Sequence, residues 1–123
     1  MYYTNDMKKE DRDLLRFNQV DAVIRRAIDE KTPVSRQLIL DELRMSKNTL
    51  CRLIHEHTDN SSLSEYVNNI RLEKACKLLV SSPQLTIEAI ANESGFGSSR
   101  QLGNVFKHYM GVTATHYRRQ HMK

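Results

Sequence analysis

Thr86-Ile87-Glu88-Ala89-Ile90-Ala91, followed by Gly95-Phe96-Gly97-Ser98, is the stretch that decides the fold. Thr86 can cap a helix whose Ile87, Ile90 and Ala91 fall on one face. Gly95-Phe96-Gly97 then makes a turn around a single large apolar residue. Ser98 with Gln101 forms a capping-box pair, heading a helix with Leu102, Val105, Phe106 and Tyr109 inward. Gly111 fits a left-handed C-cap, and a last short helix runs from about Thr113 through Tyr117 and Arg118.

The same layout occurs once more upstream. Ile39-Leu40-Asp41-Glu42-Leu43-Arg44-Met45-Ser46 continues to Leu50, Leu53, Ile54 and Tyr66, as Ile90 to Phe96 continues to Leu102, Val105, Phe106 and Tyr117. The offset is 51 residues at Met45/Phe96, 52 at Leu50/Leu102 and 51 at Tyr66/Tyr117. Each copy is a bracing helix, a tight turn with an apolar plug, and a second helix capped by Ser. That is a helix-turn-helix, whose second helix lies in the major groove of DNA.

Working outward, Ser62 and Glu65 open a long helix whose inner face is Tyr66, Val67, Ile70, Leu72, Ala75, Leu78 and Leu79. It ends at Ser81-Ser82-Pro83 and joins the copies. Upstream, Phe17, Val20, Val23, Ile24, Ala27 and Ile28 recur at helical steps, up to the Thr32-Pro33 break. Ser35 caps the next helix, with Leu38, Ile39 and Leu43. No segment alternates apolar and polar residues as a strand does. The expected fold is all-α, with seven helices. The expected divisions are a charged N-terminal tail or frayed helix start over 1–16, a first helix-turn-helix subdomain over 17–61, a linker helix over 62–82, and a second helix-turn-helix subdomain over 83–123.

Composition narrows the function. Residues 1–45 carry nine Lys/Arg against nine Asp/Glu, whereas residues 46–123 carry ten against six, so the net charge of +4 lies entirely in the second stretch. A basic stretch of this kind fits a polyanionic partner. No apolar run approaches the roughly 20 residues of a membrane span, and no signal-peptide pattern is visible. Cys51 and Cys76 lack CxxC or CxxH companions, which fits reduced thiols in a cytoplasmic protein. Gly-rich phosphate loops, HExxH and GxSxG are all missing from the sequence. His55 and His57 project to different sides of a helix, and His108, His116 and His121 are scattered. An enzyme, a metal site and a cofactor are therefore not expected.

The chain resembles the AraC/XylS transcription regulators over roughly residues 18–119. Arg71-Leu72-Glu73-Lys74-Ala75 with Leu78-Leu79 is similar to the family's linker helix. Thr86-Ile87-Glu88-Ala89-Ile90-Ala91 with Gly95-Phe96 is similar to its second helix-turn-helix. Phe106-Lys107, Gly111, Thr113 and Tyr117-Arg118 match its C-terminal signature. Departures are Leu40 for a frequent Ala, Arg44 for a frequent Gly, Ala114 for a usual Pro, Asn104 for a frequent Arg, and Gly103 inside the second reading helix. The resemblance implies a bacterial, cytoplasmic, nucleoid-associated regulator that binds double-stranded DNA, commonly an activator contacting RNA polymerase. The roughly 17 residues before the first helix are too few for an effector pocket. The expectation is thus a stand-alone regulator without a small-molecule effector, binding as a monomer.

Candidate contacts follow from rotation. With Leu50, Leu53 and Ile54 inward, the first reading helix turns Lys47, Asn48, Thr49, Cys51, Arg52 and His55 outward. Arg52 can pair bidentately with guanine, and Asn48 with adenine. Lys47 and Thr49 suit phosphates near the helix N-terminus. The resemblance favours Asn48, Cys51 and Arg52 as base-facing. In the second reading helix, Ser99, Arg100, Gln101 and Asn104 are base-facing candidates, while Lys107, Arg118, Arg119 and the more distant Thr86 suit phosphates. The alternative is a protein-interaction module of the same fold that modulates another regulator or the polymerase, with weak DNA affinity. Gly103 and Asn104 are what favour it.

Overall fold

A computed structural model describes residues 8–122 of the chain, and among them there are seven helices and no strand. They are α1 (Lys9–Asp29), α2 (Arg36–Leu43), α3 (Lys47–His57), α4 (Leu63–Ser81), α5 (Ile87–Glu93), α6 (Ser99–Met110) and α7 (Ala114–His121). From α2 onward every helix starts at a Ser or Thr whose hydroxyl oxygen accepts the backbone N–H three residues on. The caps are Ser35, Ser46, Ser62, Thr86, Ser98 and Thr113, with distances of 3.0 to 3.2 Å. Each such cap is worth about 1 kcal/mol, and together they fix where the chain enters each helix.

The first helix departs from expectation. It begins at Lys9, so residues 9–16 follow the helix-start alternative and not the tail, and are a regular part of the helix; residues 1–7 lie outside the described residues. This segment has no apolar stripe of its own, which is why periodicity passes over it. It is nevertheless rich in good helix formers, and Glu10 and Asp11 in the first turn complement the helix dipole. Once Phe17 to Ile28 are held, extending the helix adds one hydrogen bond for each residue fixed.

Two apolar clusters organise the chain. The first joins Val20, Val23, Ile24 and Ile28 of α1 with Ile39, Met45, Leu50, Leu53, Ile54, Val67 and Ile70. The second joins Leu72, Ala75 and Leu79 of α4 with Ile90, Ala91, Phe96, Leu102, Phe106 and Ala114. Helix α4 serves both. Ile70 and Leu72, two positions and about 200° apart on a helix, enter different clusters. Tyr109, expected to face inward, is 40% exposed, because Phe106 and Leu102 already fill the side of α6 that meets the cluster.

The turns close alike. Met45 N–H reaches back to the Leu40 carbonyl at 3.2 Å, and Phe96 N–H to that of Ala91 at 2.9 Å. Both bonds are of the Schellman kind, which needs a left-handed residue just before. Arg44 (φ 51°) and Gly95 (φ 91°) supply it. Between the two halves, Lys74 pairs with Asp29 at 2.8 Å and Lys31 with Glu93 at 2.9 Å. Both pairs are solvent-exposed, so screening leaves them minor contributors to stability. The apolar junction is Ile28 against the backbone of Gly95.

Candidate nucleic-acid interface

The caps and clusters fix how α3 and α6 face solvent. On α3, burial of Leu50, Leu53 and Ile54 leaves Lys47, Asn48 and Cys51 exposed, with Thr49 and Arg52 half-buried. The Thr49 hydroxyl accepts a hydrogen bond from Ser46 Oγ at 3.0 Å, so it belongs in part to the cap. On α6, burial of Leu102 and Phe106 leaves Ser99, Arg100, Gln101, Asn104 and Lys107 exposed. Gly103 is half-buried, and a Cβ there would touch nothing within 4 Å.

Arg52 is not a loose side chain. Its Nη1 donates to Asp13 Oδ2 at 2.8 Å and its Nη2 to Asp13 Oδ1 at 3.3 Å. Nη1 also donates to Glu56 Oε1 at 3.1 Å. The Arg52 hydrogen bond holds the Asp13 carboxyl below the usual carboxylate range, and the same bond holds the guanidinium protonated even more firmly. Asp13 is the site residue that apolar periodicity misses. Its signal was available, because Asp13 lies four residues before Phe17 and so shares the face of α1 turned to α3. One turn on, Phe17 stacks on His57 with ring centres 5.2 Å apart.

Two further side chains sit differently from expectation, Arg118 and Gln101. Arg118, a phosphate candidate, is turned inward. Its Nε, Nη1 and Nη2 donate to the carbonyls of Leu79, Leu85 and Ser82 at 3.0, 2.8 and 3.2 Å, so it caps the end of α4 and has little left for DNA. The Leu79 carbonyl belongs to the last turn of α4, where intrahelical donors run out, and those of Ser82 and Leu85 lie in the loop that follows, so the guanidinium ties the helix end to that loop. Gln101 lends its side-chain oxygen to Gly97 N–H at 2.7 Å, leaving its NH2 group for a base edge. Arg119 is exposed. Thr86 lines an open cleft of about 570 Å³ between the starts of α5 and α6, with Asn92, Gly97 and Ser98 among its neighbours.

A second cleft, of about 430 Å³, lies between the two halves and is lined by Arg36, Ser62, Asn68, Arg71 and Gln101 among others. Arg71 Nη1 donates to Asn68 Oδ1 at 3.1 Å, and its guanidinium carbon stands 6.0 Å from the centre of the Phe96 ring. Burial lowers its pKa. The motif gives Arg71 only as part of the linker helix; in space it stands at the junction. The cleft between the halves and both reading helices carry polar and basic groups suited to phosphates and base edges, whereas the cleft beside Thr86 is polar and includes the carboxylate of Glu88.

Comparison with known proteins agrees with this geometry. A family described as a helix-turn-helix domain matches residues 39–120. Over 82 residues the chain is 29% identical to the Msm operon regulatory protein of Streptococcus mutans, covering 67% of this chain and 29% of that protein. Over 81 residues it is 35% identical to the uncharacterized transcriptional regulatory protein YesN of Bacillus subtilis, covering 65% of this chain and 22% of that protein. The chain therefore spans less than a third of the length of either relative. No solved structure matches it.

Proposed function

The chain belongs to the AraC-type helix-turn-helix family of DNA-binding transcription regulators, and on that premise we propose that it reads double-stranded DNA sequence-specifically through α3 and α6 in successive major-groove segments. The observation that carries this is the paired layout of α2–α3 and α5–α6. Each pair has the same Ser cap, the same back-bonded turn, and a polar outward face on its second helix. In this reading Asn48, Cys51 and Arg52 face bases from α3. Ser99, Arg100, Asn104 and the amide of Gln101 do so from α6. Lys47, Thr49, Thr86, Lys107 and Arg119 meet phosphates, and Arg118 drops out of the set. One molecule covers both segments, so a monomer suffices. Regulation runs towards activation through RNA polymerase, a reading supported by the family resemblance.

No helix among the described residues is long and apolar enough to cross a membrane. The test is selection of bound duplexes from a random pool. The expected product is an asymmetric site with two preferred patches about 10 base pairs apart. A palindrome, or no enrichment at all, contradicts the proposal.

A further inference from the structure

The Arg52 guanidinium has five N–H donors, two on each terminal nitrogen and one on Nε. Asp13 takes one from each terminal nitrogen, and Glu56 takes the second from Nη1. What remains is one Nη2–H and the Nε–H, which lie parallel along one edge of the planar group. That edge has the spacing to meet guanine O6 and N7 together. We propose that Asp13 is a specificity-determining positioning residue, holding Arg52 from behind so that its Nε–Nη2 edge is the one offered to a guanine. The inference rests on the reading of Arg52 as a base contact and deepens it.

Two further observations support a brace. The Asp13 side chain is 14% exposed against 36% for Arg52, so the carboxylate is the more enclosed partner. It also stands on a helix, and the next turn is pinned where Phe17 packs on His57 and Tyr66. A carboxylate on a fixed helix limits the rotamers of a long side chain, and rigid presentation favours bidentate pairing.

The opposite role, a latch that keeps Arg52 away from DNA, is disfavoured by magnitude. An ion pair this exposed shifts an equilibrium by about fivefold at most, too little to hold a regulator off its site. The second unit has no such brace. Helix α6 contains no carboxylate, and none pairs with Arg100 among the ion pairs of the described residues.

The test titrates the unaltered chain, Asp13→Ala, Asp13→Asn, Arg52→Ala and the Asp13→Ala/Arg52→Ala double variant. Each is measured against the selected duplex and its single-base variants. Arg52→Ala should lose discrimination at one base pair by about tenfold or more. Asp13→Ala should lose part of the same discrimination at the same base pair, by up to about fivefold, leave the other positions unchanged, and add nothing when Arg52 is already removed. Asp13→Asn keeps the side chain's shape, and so decides the matter if the alanine variant folds poorly. If Arg52→Ala discriminates normally, the base-contact reading itself fails. Should Arg52→Ala lose discrimination while both Asp13 variants keep it, or should they bind every duplex more tightly, the brace is overturned and the base contact survives.

Discussion

The two helix-turn-helix units share one backbone plan and differ where they meet their surroundings. In the first turn the left-handed position is held by Arg44, which is exposed to solvent; in the second it is held by Gly95, whose α-carbon faces the other half of the chain. A Cβ on Gly95 would stand 3.3 Å from Ile28 Cγ2 and 3.5 Å from Arg71. The helix-turn-helix itself asks only for a positive φ. At Gly95 the wide positive φ and the close approach of the other half together favour glycine. The reading helices diverge in the same way: Arg52 on α3 pairs with Asp13 of a neighbouring helix, whereas the basic side chains of α6 face outward and none is in an ion pair among the described residues. On the proposed reading, the first unit offers a held base contact, while the second combines its base-facing candidates with freer anchoring side chains.

The largest expected effect tests how the second unit is held. Arg118→Ala should cost about 3 kcal/mol in urea unfolding, since three carbonyls lose a charged donor. A loss below about 1 kcal/mol would mean that water replaces it. Next come the two turns, where opposite signs are expected. Gly95→Ala should destabilise by about 2 kcal/mol, through both its φ and its crowding, whereas Arg44→Gly should stabilise by about 0.5 kcal/mol by relieving a left-handed side chain. Equal signs in thermal melts would dissolve the distinction between the turns.

Gly103→Ala is smaller and of the stabilising kind, about 1 kcal/mol, because the position is helical and a methyl group there meets only open space. A destabilised variant would show that α6 is placed differently. The smallest effect is a titration. Asp13 is held down by its bond to Arg52, so the pair stabilises the fold above the ordinary carboxylate range and is lost as pH falls through the folded value. By NMR the Asp13 carboxyl should titrate at lower pH in the unaltered chain than in Arg52→Ala, and identical midpoints would remove the brace.

Much of this was legible beforehand because it is local. Ser46, Thr86 and Ser98 cap their helices through a backbone group three residues away, and the apolar plugs recur at a fixed offset, so both signals lie within a short window. What escaped is long-range. Asp13 lies 39 residues from Arg52, and Arg118 lies 33 to 39 residues from the carbonyls it bonds; no periodicity encodes such a pairing. Spacing alone places Tyr109 inward, whereas Phe106 already fills the space beside α6. Residues 9–16 were passed over because their helix is held by its continuation into Phe17, a cooperative effect that leaves no apolar pattern.

The division of labour between the units is tested most directly by one paired titration. Arg52→Ala and Lys107→Ala are each measured against the selected duplex and a scrambled one at two salt concentrations. Arg52→Ala should lose about 1–3 kcal/mol on the selected duplex alone, whereas Lys107→Ala should weaken both duplexes alike and reduce the salt slope by about 1. Unchanged discrimination in Arg52→Ala, or a loss confined to the selected duplex in Lys107→Ala, would contradict the account.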